Sequence, residues 1–526
     1  MTPSLAQQAD SPNAAAPSVQ AASRLSALDR WLFPVLGVLS LIASCILYSL
    51  HKQEWADEVF SRIELSDRSL PHLMHALMHL GGAGMPLFTL TAWPWARLFG
   101  LSDLSLRLYS CAGVGGAFLV LLFTLRRRCS VRASFLGVAF ALFACSVVID
   151  QNAEARGYGL YLLLCTLAIA QLLRVMDTPR PSARDLLLLA LTQAGMVLGH
   201  VLALIFCGLL LLALVAGDVA ERRLRWRVYL CFCAGWLAIL PWIPAIRASA
   251  AIAKPYGWLS PPTAVNVLIA FSCWFFSGIY HPLLGTGTAD LAGCVCGIIC
   301  VAIPVIAALQ SLRGATPSRR AVLLVGLALV AAPLPFLLVS YLISPIWVAR
   351  YMIPMALGVA MLAAALFDSI QPLRGKIGGV AGVVLLLLPI GAALAAKPEH
   401  LDVARVDQIA AGRPLVCDWT RDFMVMVRYS SDPRNLEYPL DWEAALQGPR
   451  VSVGGYNLLQ NYRREGYLRP YLYDASAVLD QQSFLVLDST DTNWFQLRIA
   501  GNPRYEWKQI AQIDATRRVY EVRRLP

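Results

Sequence analysis

The sequence predicts an α-helical polytopic membrane protein of about eleven transmembrane helices, with a small extracytoplasmic α/β domain at its C-terminus. Three observations carry this. Of 526 residues, 57% are hydrophobic and 15% charged, against about 25% charged in soluble domains, and mean hydropathy is +0.58. A spanning helix needs about 20 apolar residues. Runs near that length occur at 31–50, 105–125, 131–149, 157–173, 185–198, 201–216, 228–246, 291–310, 321–343, 351–368 and 377–396. From about Lys397 the apolar runs shorten and charges become frequent. The net charge of +11 does not indicate a nucleic-acid partner, because the arginines sit in short clusters between apolar runs, where they set membrane orientation.

Residues 1–29, rich in Ala, Ser, Pro and Gln without periodicity, read as a disordered cytoplasmic tail. The first run follows Arg24 and Arg30 and has no small-residue cleavage pattern after it, so it reads as an anchor rather than a removed leader. The transmembrane domain then covers 30–396, with a long first outer loop at 51–104. Inside that loop, 86–99 is broken by Pro94 and carries Trp93, Trp95 and Phe99, which suits a helix lying at the interface. Residues 264–282 end in Trp274, Tyr280 and His281 and read as re-entrant or interfacial.

With the N-terminus inside, eleven spans place sixteen basic residues between 51 and 396 in inside loops and nine outside. His51, His72, His75, His79, His200, His281 and His400 then all fall outside, as do Asp57, Glu58, Asp150, Glu154 and Arg350. An odd number of spans puts the α/β domain, 397–526, outside as well. Its expected strands are Pro414–Cys417, Arg450–Val453 and Ser483–Leu487, followed by a hairpin of Lys508–Ile513 and Arg518–Val522. Of thirteen cysteines, twelve lie in or beside apolar runs and read as packing residues. Cys417 alone lies in the polar domain, which excludes a disulfide framework there.

Titratable side chains at the outer ends of the spans are the candidates for chemistry. Trp55-Ala-Asp57-Glu58 puts two carboxylates at the membrane surface, where Asp57 can act as a general base or metal ligand and Glu58 can anchor the loop. Solvated acidic pairs at a membrane surface are also common. Glu154-Ala-Arg156-Gly-Tyr158 follows the third span and offers either a structural Glu–Arg pair or an anion-binding arginine. Arg350-Tyr351, before Pro354, has a planar fork suited to phosphate; lipid-headgroup anchoring is the plain alternative. His200 sits in a minimal turn. His75 and His79 have metal-pair spacing, and with His200 they are the weak candidates for a divalent metal, packing and surface roles being the commoner use of such a stripe.

These elements, in this order, resemble the GT-C glycosyltransferases, specifically the family 39-like bacterial relatives of protein O-mannosyltransferases and of the lipid A aminoarabinose transferase. The resemblance covers roughly residues 30–370. It implies an enzyme of the bacterial inner membrane with its C-terminal domain periplasmic. Such an enzyme transfers a sugar from a polyprenyl-phosphate donor to a hydroxyl of a glycan, lipid or protein acceptor, with inversion. By the same likeness Asp57 is the base, with Glu58 and Glu154 as further catalytic candidates. Arg156 and Arg350 hold the carrier phosphate, while Tyr158, His200 and Tyr351 shape the substrate site. Gly84-Met85-Pro86-Leu87 departs from the family, which often has an acidic residue or His before Pro-Pro-Leu, so one expected metal ligand is missing. A flippase of lipid-linked saccharides, or a surface-polysaccharide polymerase or ligase, is the alternative. The C-terminal aromatics, Tyr456, Tyr462, Tyr467, Tyr471, Tyr473 and Trp494, serve either an acceptor or an ordinary core.

Overall fold

The computed structural model describes residues 19–80, 84–256, 259–272, 274–277, 286–397, 400–490 and 494–526. Among them, eight helices are long and apolar enough to cross a membrane, and two further apolar helices are shorter. The chain is a polytopic membrane protein with a small C-terminal sheet.

α1 (Val19–His51) begins inside the stretch expected to be disordered; residues 1–18 lie outside the described ones. The first loop folds as three helices, α2 (Ala56–Ser66), α3 (Leu70–His79) and α4 (Pro86–Phe99). Then come α5 (Asp103–Leu125), α6 (Val131–Phe143), α7 (Ser146–Asn152), α8 (Tyr158–Asp177), α9 (Ala183–Gly199) and α10 (Ala203–Ala220). α11 (Trp226–Ala234) tightens into a 3₁₀ stretch, Gly235–Trp242, around Pro241 and leads into α12 (Ile243–Tyr256). α13 (Ala264–Ser272) is too short to span, and much of the rest of the 264–282 segment, His281 included, lies outside the described residues. α14 (Thr286–Ser311), α15 (Pro317–Val330), α16 (Pro333–Leu342), α17 (Met355–Ser369) and α18 (Lys376–Ala395) complete the membrane part.

The third run, 131–149, was expected to be one helix and is two. The Ala144 carbonyl accepts from Phe276 N–H at 2.8 Å, and Ser146 N–H donates to the Trp274 carbonyl at 2.8 Å, so a bridge between Cys145 and Phe275 breaks the helix. Non-helical backbone is tolerated at such depth only where protein buries it, and Cys145, Trp274 and Phe275 are all buried. Elsewhere, α5 and α8 cross at two glycines. A Cβ on Gly113 would lie 2.3 Å from the Gly159 carbonyl carbon, and one on Gly159 would lie 2.1 Å from the Ser110 carbonyl oxygen. That approach sets the start of α8, and with it residues 156–158, against α5.

The C-terminal domain runs α19 (Val403–Ala410), β1 (Leu415–Cys417), α20 (Thr420–Tyr429), β2 (Leu436–Leu440), α21 (Trp442–Gln447), α22 (Arg450–Arg464), β3 (Leu472–Asp474), α23 (Ala475–Leu479), β4 (Ser483–Ser489), β5 (Tyr505–Gln512) and β6 (Arg517–Arg524). The sheet order is β3-β2-β1-β4-β6-β5. The first four strands are parallel, and β6 pairs antiparallel with β4 and β5. Residues 450–453, expected as a strand, are helical instead, because they open the amphipathic α22. One sheet face, with Leu415, Cys417, Leu485 and Leu487, shares a core with Val59, Phe60, Ala76 and Leu80 of the first loop. The other face buries Val416, Phe484, Val486 and Tyr520 against Trp494 and Phe495. The first loop is therefore part of the cap's own core.

Candidate active site

Trp55, in extended conformation, precedes the first turn of α2. Asp57 and Glu58 occupy that turn, where free backbone N–H groups favour negative charge. Successive residues on a helix point about 100° apart, and these two diverge. Asp57 faces a cavity of about 950 Å³. Glu58 turns away and is fully buried. Its carboxylate accepts from Arg107 Nε and Nη2 at 3.0 and 3.2 Å, from Ala155 N–H at 2.8 Å, and from Trp55 N–H at 3.3 Å. Glu58 thereby ties α2, α5 and the segment before α8 together. Arg156 is the residue next to the one it grips.

The cavity floor comes from the loop-side ends of the membrane helices. Asp57 Oδ2 lies 3.7 Å from Arg156 Nη2 and 3.9 Å from Arg350 Nη2. Arg156 Nη1 donates to the Asp57 carbonyl at 3.1 Å and to Ser61 Oγ at 3.2 Å. The Arg350 guanidinium lies over the rings of Trp55 and Tyr351, at 5.4 and 5.7 Å. Two guanidiniums thus stand beside the Asp57 carboxylate at the cavity wall, which Glu64 also lines. His200 stacks on Tyr161 at 4.8 Å and lies 5.6 and 5.8 Å from Tyr158 and Tyr351. Its Nδ1 accepts from Leu202 N–H at 3.2 Å, which leaves the proton on Nε2. Burial, helped by Arg156 and Arg350, holds its pKa down at about 4.

Six of the eight residues expected to act in catalysis or substrate binding line this one cavity: Asp57, Arg156, Tyr158, His200, Arg350 and Tyr351. Glu58 and Glu154 do not. Glu154 accepts from Lys52 Nζ at 3.0 Å and Gln151 Nε2 at 2.9 Å, so both carboxylates, expected as catalytic candidates, are held in anchoring contacts away from the cavity. His75 and His79 also lie off the cavity, beside Glu465, and His200 belongs to no group of metal-ligating side chains among the described residues. Ser61 and Glu64 were missed. They stand four and seven residues beyond Asp57, a spacing that marks one helix face. Tyr462 Oη donates to Glu64 Oε1, and burial raises the Glu64 carboxyl above its usual range.

The roof belongs to the C-terminal domain. Asp418, Trp419, Thr420 and Arg421 follow the carboxyl end of β1, Tyr438 and Asp441 belong to or follow β2, and Tyr456, Tyr462 and Trp494 complete the lining. Strand order reverses at β1 and β4, and ligands of such sheets bind outside the carboxyl ends of strands at that reversal.

No protein-family profile and no curated protein matches the chain. Its fold is shared with two solved structures of one protein. The structure of ArnT from Cupriavidus metallidurans bound to undecaprenyl phosphate superposes with a TM-score of 0.54 at 12% identity, covering 96% of this chain and 98% of that one. The same protein in its apo state gives 0.56, again at 12% identity, over 95% and 98%. The resemblance drawn from a handful of residues is thus met as a likeness of fold over 95–96% of this chain.

Proposed function

We propose that this protein is a membrane glycosyltransferase that passes a sugar from a polyprenyl-phosphate carrier to an acceptor hydroxyl. The observation that carries the reading is the Asp57 carboxylate between Arg156 and Arg350, in a cavity with membrane helices below and the carboxyl edge of a parallel sheet above. Asp57 takes the proton of the acceptor hydroxyl as its oxygen attacks the anomeric carbon. The bond from that carbon to the phosphate oxygen breaks, and its electron pair leaves with the carrier phosphate. Phosphate gains a negative charge in this step, and the two guanidiniums stabilise it. Direct displacement inverts the anomeric centre. Neutral His200 donates from Nε2 to the sugar, and Tyr158 and Tyr351 wall the site. The bound undecaprenyl phosphate of the ArnT structure supports a donor of this type. Basic residues clustered in alternate loops support an N-terminus in the cytoplasm and a cavity on the opposite face. On this reading the acceptor approaches from the roof, where Trp419, Tyr456 and Trp494 offer aromatic faces.

The test uses membranes containing wild type or Asp57→Asn, given a panel of radiolabelled polyprenyl-phosphate sugars, with and without chelator. Label should leave the carrier with wild type only. Equal transfer by Asp57→Asn sinks the assignment. Carrier movement across sealed vesicles without loss of sugar favours a flippase.

A further inference from the structure

We infer that His75, His79 and Glu465 form a zinc-class metal site that clips the first loop to the C-terminal domain. α3 is amphipathic. Leu73, Ala76 and Leu77 are buried, and Leu77 and Leu80 line the cavity, while His75 and His79 stand on an exposed face one turn apart. Their rings are 4.4 Å apart. Glu465, just past α22, faces both: Oε2 lies 3.5 Å from His75 Nδ1, and Oε1 lies 3.9 Å from His79 Nδ1. One donor atom from each of the three residues lies within 4.8 Å of the others. Two ligands on one tetrahedral zinc, each about 2.1 Å from the ion, are about 3.4 Å apart, so the His75–Glu465 distance is already close to that of a bound pair.

The approach is imposed by the fold rather than by three loose side chains. Asn461 Nδ2 donates to the Leu80 carbonyl at 3.2 Å, and Tyr467 Oη donates to Asp67 Oδ2 at 2.6 Å. These bonds fix α3 against the segment that carries Glu465. His79 Nδ1 donates to the His75 carbonyl at 3.0 Å, which leaves the Nε2 lone pair for an ion, the usual outer support of a metal-binding imidazole. Two imidazoles and a carboxylate select zinc or a neighbouring transition metal over magnesium or calcium. The exposure of both rings, 66% and 53% by side chain, admits the ion and leaves room for water as a further ligand. None of the three lines the cavity, so the ion is structural and stands apart from the transfer chemistry.

The test is zinc titration of the purified full-length protein after chelator stripping, at pH 7.5, with wild type, His75→Ala/His79→Ala, Glu465→Gln and His200→Asn. One site per chain is expected in wild type and His200→Asn. Affinity should fall by more than the roughly 10- to 100-fold that loss of an outer partner costs in the other two. Zinc should raise the melting temperature of wild type and His200→Asn and leave that of the other two variants unchanged. The exposed histidine positions make the double variant a folded control, checked by size-exclusion profile. Unchanged zinc affinity in that variant, or no stoichiometric site in wild type, overturns the inference. Neither result bears on the transfer assay.

Discussion

At the scale of single residues, adjacent side chains do opposite work. Asp57 is open to the cavity beside two arginines, while Glu58 is sealed from it. His200 adds a titration that solution conditions can reach. Its folded pKa of about 4 lies below the unfolded value of about 6.5. The unfolded chain therefore binds the proton first. The stability His200 contributes is complete above pH 6.5 and drains away as pH falls towards 4. Melting temperature should fall across that window more steeply in wild type than in His200→Asn, and parallel curves refute this. Asp57, Arg156, His200 and Arg350 were legible in the sequence because each is a polar residue at the end of an apolar run, which needs no tertiary information. Glu64 was harder to see, since its part in the site depends on Tyr462, almost 400 residues away.

Elements show where sequence reasoning stops. The Glu58 carboxylate fixes the first turn of α2 against α5 through Arg107, with both side chains 0% exposed. Glu58→Gln should cost about 3–5 kcal/mol, because it leaves a buried guanidinium uncompensated. Asp57→Asn should change thermal unfolding little, and comparing the two melting curves checks the contrast. The break at Ala144–Cys145 could not be read from residues 131–149, since the groups that capture its backbone arrive from residues 274–276. β2 was missed because Glu437 and Pro439 speak against a strand, yet all five residues of that strand are buried between β1 and β3. Val451 and Val453 suggested alternation, but the longer amphipathic period of α22 prevailed. The apolar spans were plain because a bilayer demands long uninterrupted runs and gives neighbours little say.

For the molecule as a whole, the seam between membrane part and cap is polar at its edge. Asp103 accepts from Arg62 and Arg428 at 2.7 and 2.5 Å, and from Tyr429 Oη. Glu54 accepts from Arg62 at 2.6 and 2.5 Å, and Gln53 exchanges two bonds with the backbone of Leu401, each 3.0 Å. Asp103→Ala should weaken docking by about 2 kcal/mol, in line with loss of hydrogen bonds to a charged group. Protease cleavage near residues 396–402 should then speed up, and an unchanged rate counts against it. Because Val59 and Phe60 of the first loop lie in the same core as the cap's sheet, the cap is no detachable cassette. A chimera that transplants residues 397–526 from a relative would carry half a core without its complement. To fold, it would have to import α2 and α3 from the same donor, and that exchange would bring Asp57 along with it.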